Sequence, residues 1–360
     1  MIDHPIESHQ ANLLKTMTNF LPAAPPALPE LGEIFGLDGP VTSLTPVAGG
    51  WTHRVWRAET SSAVYAVKQF LRDDQPGLGR LQRAATCEMD VWAAGGLRMP
   101  RPHVAVDGRI IVDDSPLVDG RVGWVRMHDW VAGTPLRGGV ACTPETAYEV
   151  GALLARLHRR PAREDTDPDP DPGLVSEANW RDIAEHLDRD DTALSECSAR
   201  LRALRPFVVE MHAASEEICG EMVLSHGEVN QTNCLRDDVG RIVLLDWDDA
   251  GPVDSLRELG YALLEWAGAG RGQPVFGVVR EVLRGYTMSG GEVRSSVGSL
   301  LPVWVEAAGR WMITNAAIVA QPDGVALDRI EGARFQLAEC LDKLERARAS
   351  WTAWCEAVSP

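Results

Sequence analysis

Two short stretches hold the residues with the clearest chemistry. In Val223-Leu-Ser-His-Gly-Glu-Val-Asn-Gln-Thr-Asn-Cys-Leu235, Glu228 and Asn233 follow an apolar run; in Ile242-Val-Leu-Leu-Asp-Trp-Asp-Asp-Ala-Gly251, Asp246, Asp248 and Asp249 follow another. Apolar runs of this length read as buried strands, so the oxygen-bearing side chains leave neighbouring turns and can converge. A few carboxylate or amide oxygens, with other positions left to water and phosphate, are what Mg²⁺ takes. Asn233 and Asp246 are therefore candidate metal ligands, and Glu228 is a candidate acid–base group beside them.

A site for phosphate chemistry also needs fixed positive charge and a backbone that can come close. Residues 41–47 and 63–71 alternate as strands, with Ala48-Gly-Gly-Trp-Thr-His-Arg-Val-Trp56 between them. Gly49 and Gly50 permit close approach to phosphate, and Lys68 on the following strand supplies a point charge for phosphate oxygens. A glycine pair alone is equally a plain hairpin turn; Lys68 is what gives it the nucleotide reading. Residues 78–94 predict a helix closed by Gly95-Gly96, with Glu88 in its middle, where it could pair with Lys68 or be an ordinary solvated glutamate. Further strands are expected at 103–106, 109–112 and 123–128. His128-Asp-Trp-Val-Ala-Gly133 then reads as a hinge whose backbone meets a nucleobase edge, with His128 and Trp130 beside it.

The remainder reads as mainly helical. Thr143 caps a helix that has Pro144 at its first position and Leu153, Leu154 and Leu157 on its buried stripe, ending at His158. Residues 163–173 alternate aspartate and proline and read as a solvated loop. Helices are expected at 179–187, 195–217, 255–267, 275–285, 303–319 and 328–358, with Trp304, Trp311, Trp351 and Trp354 in their core.

The organisation is thus α+β. It comprises an N-terminal extension (1–40, with a short helix at 10–21 ended by prolines), a β-sheet lobe with one main helix (41–130), and a helical lobe (131–360). With 360 residues there is room for a large core. A net charge of −17 argues against general nucleic-acid binding and suits a cationic partner. Seven scattered cysteines form no ligand spacing and read as reduced thiols. No apolar run approaches the ~20 residues of a membrane span, and the N-terminus lacks a basic-then-apolar leader, so a cytoplasmic protein is expected.

Glycine turn, strand lysine, helix glutamate, hinge, His-Gly-acid-x4-Asn and strand-end aspartate follow one another in the order that phosphoryl transfer requires. This order resembles the aminoglycoside phosphotransferase family of protein-kinase-like small-molecule kinases. Three segments carry the likeness: Ser225-His-Gly-Glu-x4-Asn233, Leu245-Asp-Trp-Asp-Asp-Ala-Gly-Pro-Val-Asp254, and Leu153-Leu-Ala-Arg-Leu-His158. The resemblance spans about residues 41–320. It implies a two-lobed kinase-like fold, ATP bound in its cleft, and transfer of the γ-phosphoryl group to a hydroxyl of a small molecule. The family's metal ligands fall on Asn233 and Asp246, its phosphate lysine on Lys68, its ion-pair acid on Glu88 and its catalytic acid on Glu228. Glu228 departs from the family's aspartate: it adds a methylene, and a displacement of about 1 Å at a catalytic group can cost on the order of a hundredfold.

The acceptor expected first is an amine-bearing antibiotic or amino sugar, which would make the protein an antibiotic-resistance kinase. A biosynthetic kinase acting on a peptide Ser/Thr or a sugar intermediate is the second expectation. A nucleotide-binding scaffold without efficient transfer is the third. The sequence fits a monomer or a dimer equally.

Overall fold

The computed structural model describes residues 28–47, 53–71, 77–114, 123–136, 142–162, 176–188, 192–271, 275–325 and 327–358. The helix expected at 10–21, Gly49, Gly50 and the aspartate-proline loop lie outside them. The chain divides into two compact units, the first holding the described residues up to Ala94 together with Met99–Ala132, the second holding Gly95–Arg98 and the described residues from Gly133 onward.

The first unit is an antiparallel sheet. Strands β1 (Ser43–Val47), β2 (Arg54–Glu59) and β3 (Val64–Leu71) run in chain order; β6 (Gly123–Asp129) lies beside β3 and pairs with both β4 (Pro102–His103) and β5 (Val112–Asp114). Because side chains alternate across a strand, register decides which residues share a face. Trp56, Ala58, Tyr65, Val67, Val125 and Met127 point to one face and are buried with Leu31 and Phe35 from the start of the unit. On the other face Lys68 stands opposite Val55 and Arg126, and Ala66 opposite Arg57 and His128. Helix α2 (Leu78–Ala94) covers one end of that second face, setting Leu81 and Ala85 against Phe70 and Ile111. Its buried stripe runs Leu81, Ala84, Ala85, Glu88, Val91, so Glu88 occupies a core position rather than a solvated one.

Leu31 and Phe35 show that the end of the segment read as an extension is part of this core. Helix α1 (Leu28–Ile34) has Pro29 in its first turn, where a missing N–H costs nothing, and buries Leu31 completely.

The second unit is mostly helical: α3 (Pro144–Leu157), α4 (Glu177–Leu187), α5 (Thr192–Ser215), α6 (Ser255–Ala267), α7 (Phe276–Met288), α8 (Val297–Leu300), α9 (Pro302–Ala320) and α10 (Leu327–Val358). Two small sheets support its loops. Strand β9 (Cys234–Arg236) lies between β10 (Ile242–Leu244) and β7 (Thr134–Pro135), while β8 (Met222–Ser225) pairs with β11 (Gly251–Asp254). The two apolar runs of the sequence are thus strands of different sheets, joined by the loops that carry the acids. Thr143 caps α3 through a 3.2 Å bond from the Thr146 amide. Trp304 and Trp354 are buried, whereas Trp311 and Trp351 are half-buried. All seven cysteines are free thiols. No helix among the described residues is long and apolar enough to cross a membrane.

If α1 is core, Leu31→Ala should lower unfolding stability by about 2–5 kcal/mol in chemical denaturation. A loss within ~0.5 kcal/mol, the range of ordinary surface substitutions, would return the helix to the status of an appendage.

Candidate active site

In the second unit the chain leaves β8 at Ser225, turns through His226-Gly227-Glu228, makes a short 3₁₀ turn at Gln231–Asn233 and enters β9. Gly227 has a φ of +84°, and a Cβ there would lie 2.6 Å from the Asp249 carbonyl oxygen, so the turn excludes any side chain. Asn230 caps the 3₁₀ turn, its side-chain oxygen accepting from the amides of Thr232 at 2.9 Å and Asn233 at 3.0 Å. The Trp266 indole donates to the Val229 carbonyl at 2.9 Å and holds the loop from α6.

The buried His226 joins this loop to the next. Its Nδ1 accepts from the Glu228 amide at 3.2 Å, so the proton sits on Nε2, which donates to the Leu245 carbonyl at 2.7 Å. Only the neutral ring can do both. Burial lowers the pKa of His226 and outweighs the opposing pull of the Leu245 carbonyl, Glu258, Asp246 and Asp249. The ring also packs against the buried Trp247, with centroids 4.8 Å apart. From the other side, the Leu245 amide donates to the Asn233 carbonyl at 2.8 Å. Asp246 follows at once with φ +63°, a left-handed conformation that aspartate tolerates better than most residues.

The structure therefore brings Glu228, Asn233 and Asp246 together. The Asn233 amide nitrogen donates to the Glu228 backbone carbonyl at 3.1 Å and to its carboxylate at 3.3 Å. Burial of the recess, then the charges of Asp249 and Asp246, push the Glu228 carboxyl up to about 8, against the pull of Asn233. The Glu228 residue as a whole keeps contact with solvent, and that hydration tempers the burial contribution. The direction rests firmly on the crowding of carboxylates, and a site with this excess of negative charge favours a cation.

The oxygen-only donors Asn233 and Asp246 fit a hard divalent ion. Among the described residues, one other acid group gathers ligand atoms within 4.8 Å, His212 with Glu216 and Glu306. There Arg257 and Arg310 already engage Glu306, so its charge is met by protein.

A residue read from sequence as structural positions the whole loop. Glu258 on α6 accepts from the Gly227 amide at 2.9 Å and meets His158 at 2.7 Å, while His158 meets the Tyr286 hydroxyl at 2.8 Å. The motif residues Leu153–His158 thus act through the histidine that ends them, a role no local pattern announced.

In the first unit Glu88 is gripped by Arg126 and lies 3.2 Å from His128, a pairing the sequence had not supplied. Lys68 shares the sheet face of Arg126, and its ammonium lies 5.4 Å from the Phe70 ring centre. The Trp130 amide donates to the Val64 carbonyl at 3.1 Å, and the Arg57 guanidinium lies over the Trp130 ring at 5.7 Å.

With this geometry described, the comparisons fall into place. Residues 43–289 match the phosphotransferase enzyme family. The chain belongs to that family. This phosphotransferase transfers a phosphoryl group to a hydroxyl acceptor. No match was found among curated proteins. Among solved structures it is similar to a spectinomycin phosphotransferase in complex with ADP and spectinomycin, at 14% identity and TM-score 0.65, covering 91% of this chain and 98% of the other. It is similar to a microcompartment-associated aminopropanol kinase at 16% identity and TM-score 0.58, covering 88% and 94%. A third likeness is to a Plasmodium vivax ethanolamine kinase at 13% identity and TM-score 0.55, covering 84% and 82%. At these identities the likeness is one of fold, in agreement with the two-lobed α+β expectation.

The phosphotransferase's Glu258 gives a test of the loop's support. Burial alone would raise its carboxyl, but the hydrogen bond and charge of His158, with Ser225 and His226, hold it below its ordinary value. A carboxyl depressed in the folded state stabilises above the ordinary carboxylate range and loses that contribution as pH falls. Glu258→Gln should therefore lower stability by about 3 kcal/mol at pH 7 and flatten the loss of stability below about pH 4.5, read from unfolding midpoints against pH. An unchanged acid limb would contradict the pairing.

Proposed function

We propose that the protein is an ATP-dependent, Mg²⁺-dependent O-phosphotransferase acting on a small hydroxylated acceptor that carries an amine. The observation that carries this reading is the convergence of Glu228, Asn233 and Asp246 in one solvent-reachable recess crowded with carboxylates. Mg²⁺ supplies neutralisation of phosphate charge when bound, and Asn233 and Asp246 are the residues that would hold it.

The chain's own groups do the rest. Glu228 orients the acceptor hydroxyl and accepts its proton as the new O–P bond forms, while the bond from the γ-phosphorus to the β-phosphate oxygen breaks and ADP leaves. Lys68 supplies positive charge to the departing phosphates, and Glu88 fixes the sheet face on which Lys68 stands. His128 and Trp130 are assigned to the nucleobase side, together with Gly49 and Gly50. Glutamate in place of aspartate is compatible with this role because its carboxylate is held by Asn233, which limits the freedom the extra methylene adds. An ammonium group on the acceptor suits the site's surplus charge: Asp249 and Glu265 both act electrostatically on Glu228, and the indole of Trp304 anchors the Glu265 carboxylate at 2.7 Å.

The test is ADP release from Mg²⁺-ATP with amino alcohols and aminoglycosides as acceptors, compared across Glu228 variants. Glu228→Ala should lower turnover by about a hundredfold or more and Glu228→Asp should retain most of it. Wild-type turnover in the alanine variant would remove Glu228 as the base and favour a nucleotide-binding scaffold.

A further inference from the structure

The sheet face that carries Lys68 holds a second buried cation. Arg126 stands directly opposite Lys68 in the β3–β6 register, so both side chains leave the same face. Its side chain and that of Glu88 are each 1% exposed, and the two are in contact. His128, two residues further along the same strand face, lies 3.2 Å from the same carboxylate. Helix α2 meets this end of the face through apolar side chains, Leu81 and Ala85 against Phe70 and Ile111.

Burying an ion pair among apolar groups is commonly no more stable than packed hydrocarbon of similar volume. Stability alone therefore does not account for Arg126. Charge does. Lys68 and Arg126 contribute two positive charges against one negative charge from Glu88, while Arg57 on the same face is matched by Glu59. Without Arg126 the Lys68 and Glu88 charges would cancel; with it, the face stays positive and Glu88 is gripped from within the sheet.

We propose that Arg126 is a positioning residue of the nucleotide-phosphate site, fixing Glu88 and leaving the Lys68 face with a net positive charge matched to a polyphosphate. The inference rests on the nucleotide-dependent reading above and adds to it a residue that selects for the phosphate chain rather than the nucleoside.

The experiment is displacement of a fluorescent ADP analogue from the full-length chain by ATP, ADP and adenosine in the presence of Mg²⁺, for the wild type, Arg126→Gln and Arg126→Lys. Circular dichroism and unfolding midpoints accompany it. Glutamine keeps a donor toward Glu88 but removes the charge, so ATP and ADP should bind about tenfold more weakly, while adenosine stays within about twofold. Lysine keeps the charge and should retain the polyphosphate preference, with the KM for ATP moving less than in the glutamine variant. Equal weakening of adenosine and ATP would reduce Arg126 to a structural role, and unchanged ATP binding in Arg126→Gln would reject it outright. Should the glutamine variant fail to fold, the lysine variant decides: loss of the polyphosphate preference in a folded Arg126→Lys overturns the proposal. A wild type that never binds the analogue would sink the nucleotide reading itself, an outcome separate from wild-type binding that Arg126→Gln leaves intact.

Discussion

The 2.7 Å hydrogen bond from the His226 ring to the Leu245 carbonyl, paired with the bond that the same ring accepts from the Glu228 amide, is the contact on which the site depends. One small, rigid, neutral group fixes the backbone at Glu228 to the residue before Asp246. A flexible side chain could make either bond, but it would not hold the spacing. Burial keeps the ring neutral, and neutrality keeps both of its nitrogens in their roles. The acid loop and the aspartate loop come from different small sheets, so without this tie nothing in the strand pairing would fix one against the other.

Around that ring the support is layered. Glu258 pins the Gly227 amide from α6 and is itself oriented by His158 and Tyr286, while Trp266 holds Val229 and Trp247 packs on the imidazole. Each of these partners is buried or nearly so, which strengthens the hydrogen bonds and makes an unpaired member costly. A carboxylate-crowded recess is electrostatically unfavourable on its own. The structure maintains it with neutral scaffolding, which leaves the excess negative charge for a cation to meet. The first unit has the opposite arrangement, since its charged face is positive and its single acid is shared among Arg126 and His128.

The sequence made some of this legible and hid the rest for physical reasons. Periodicity located α2, α3 and α6, and alternation located β3 and β6, because burial on one face imposes those periods. Glu228, Asn233 and Asp246 could be read because oxygen donors just past apolar runs have few other uses. Arg126 could not: its contact with Glu88 spans 38 positions and depends on a strand register that no local signal encodes. Glu258 was visible only as a helix acid, since its two partners lie 31 and 100 positions away. Leu31 and Phe35 went unread as core because the prolines before them suggested an extension, although Pro29 begins the helix it was expected to follow.

The central claim is that these two sets of residues serve one reaction, in which a hydroxyl becomes a phosphate ester. Phosphorus NMR of the wild-type protein with Mg²⁺-ATP and a panel of amino alcohols and aminoglycosides reads that reaction directly. The account predicts a new phosphomonoester resonance on one class of acceptor, growing in step with ADP and absent when Mg²⁺ is chelated. Saturated nucleotide binding with no phosphoester on any hydroxylated acceptor would contradict it.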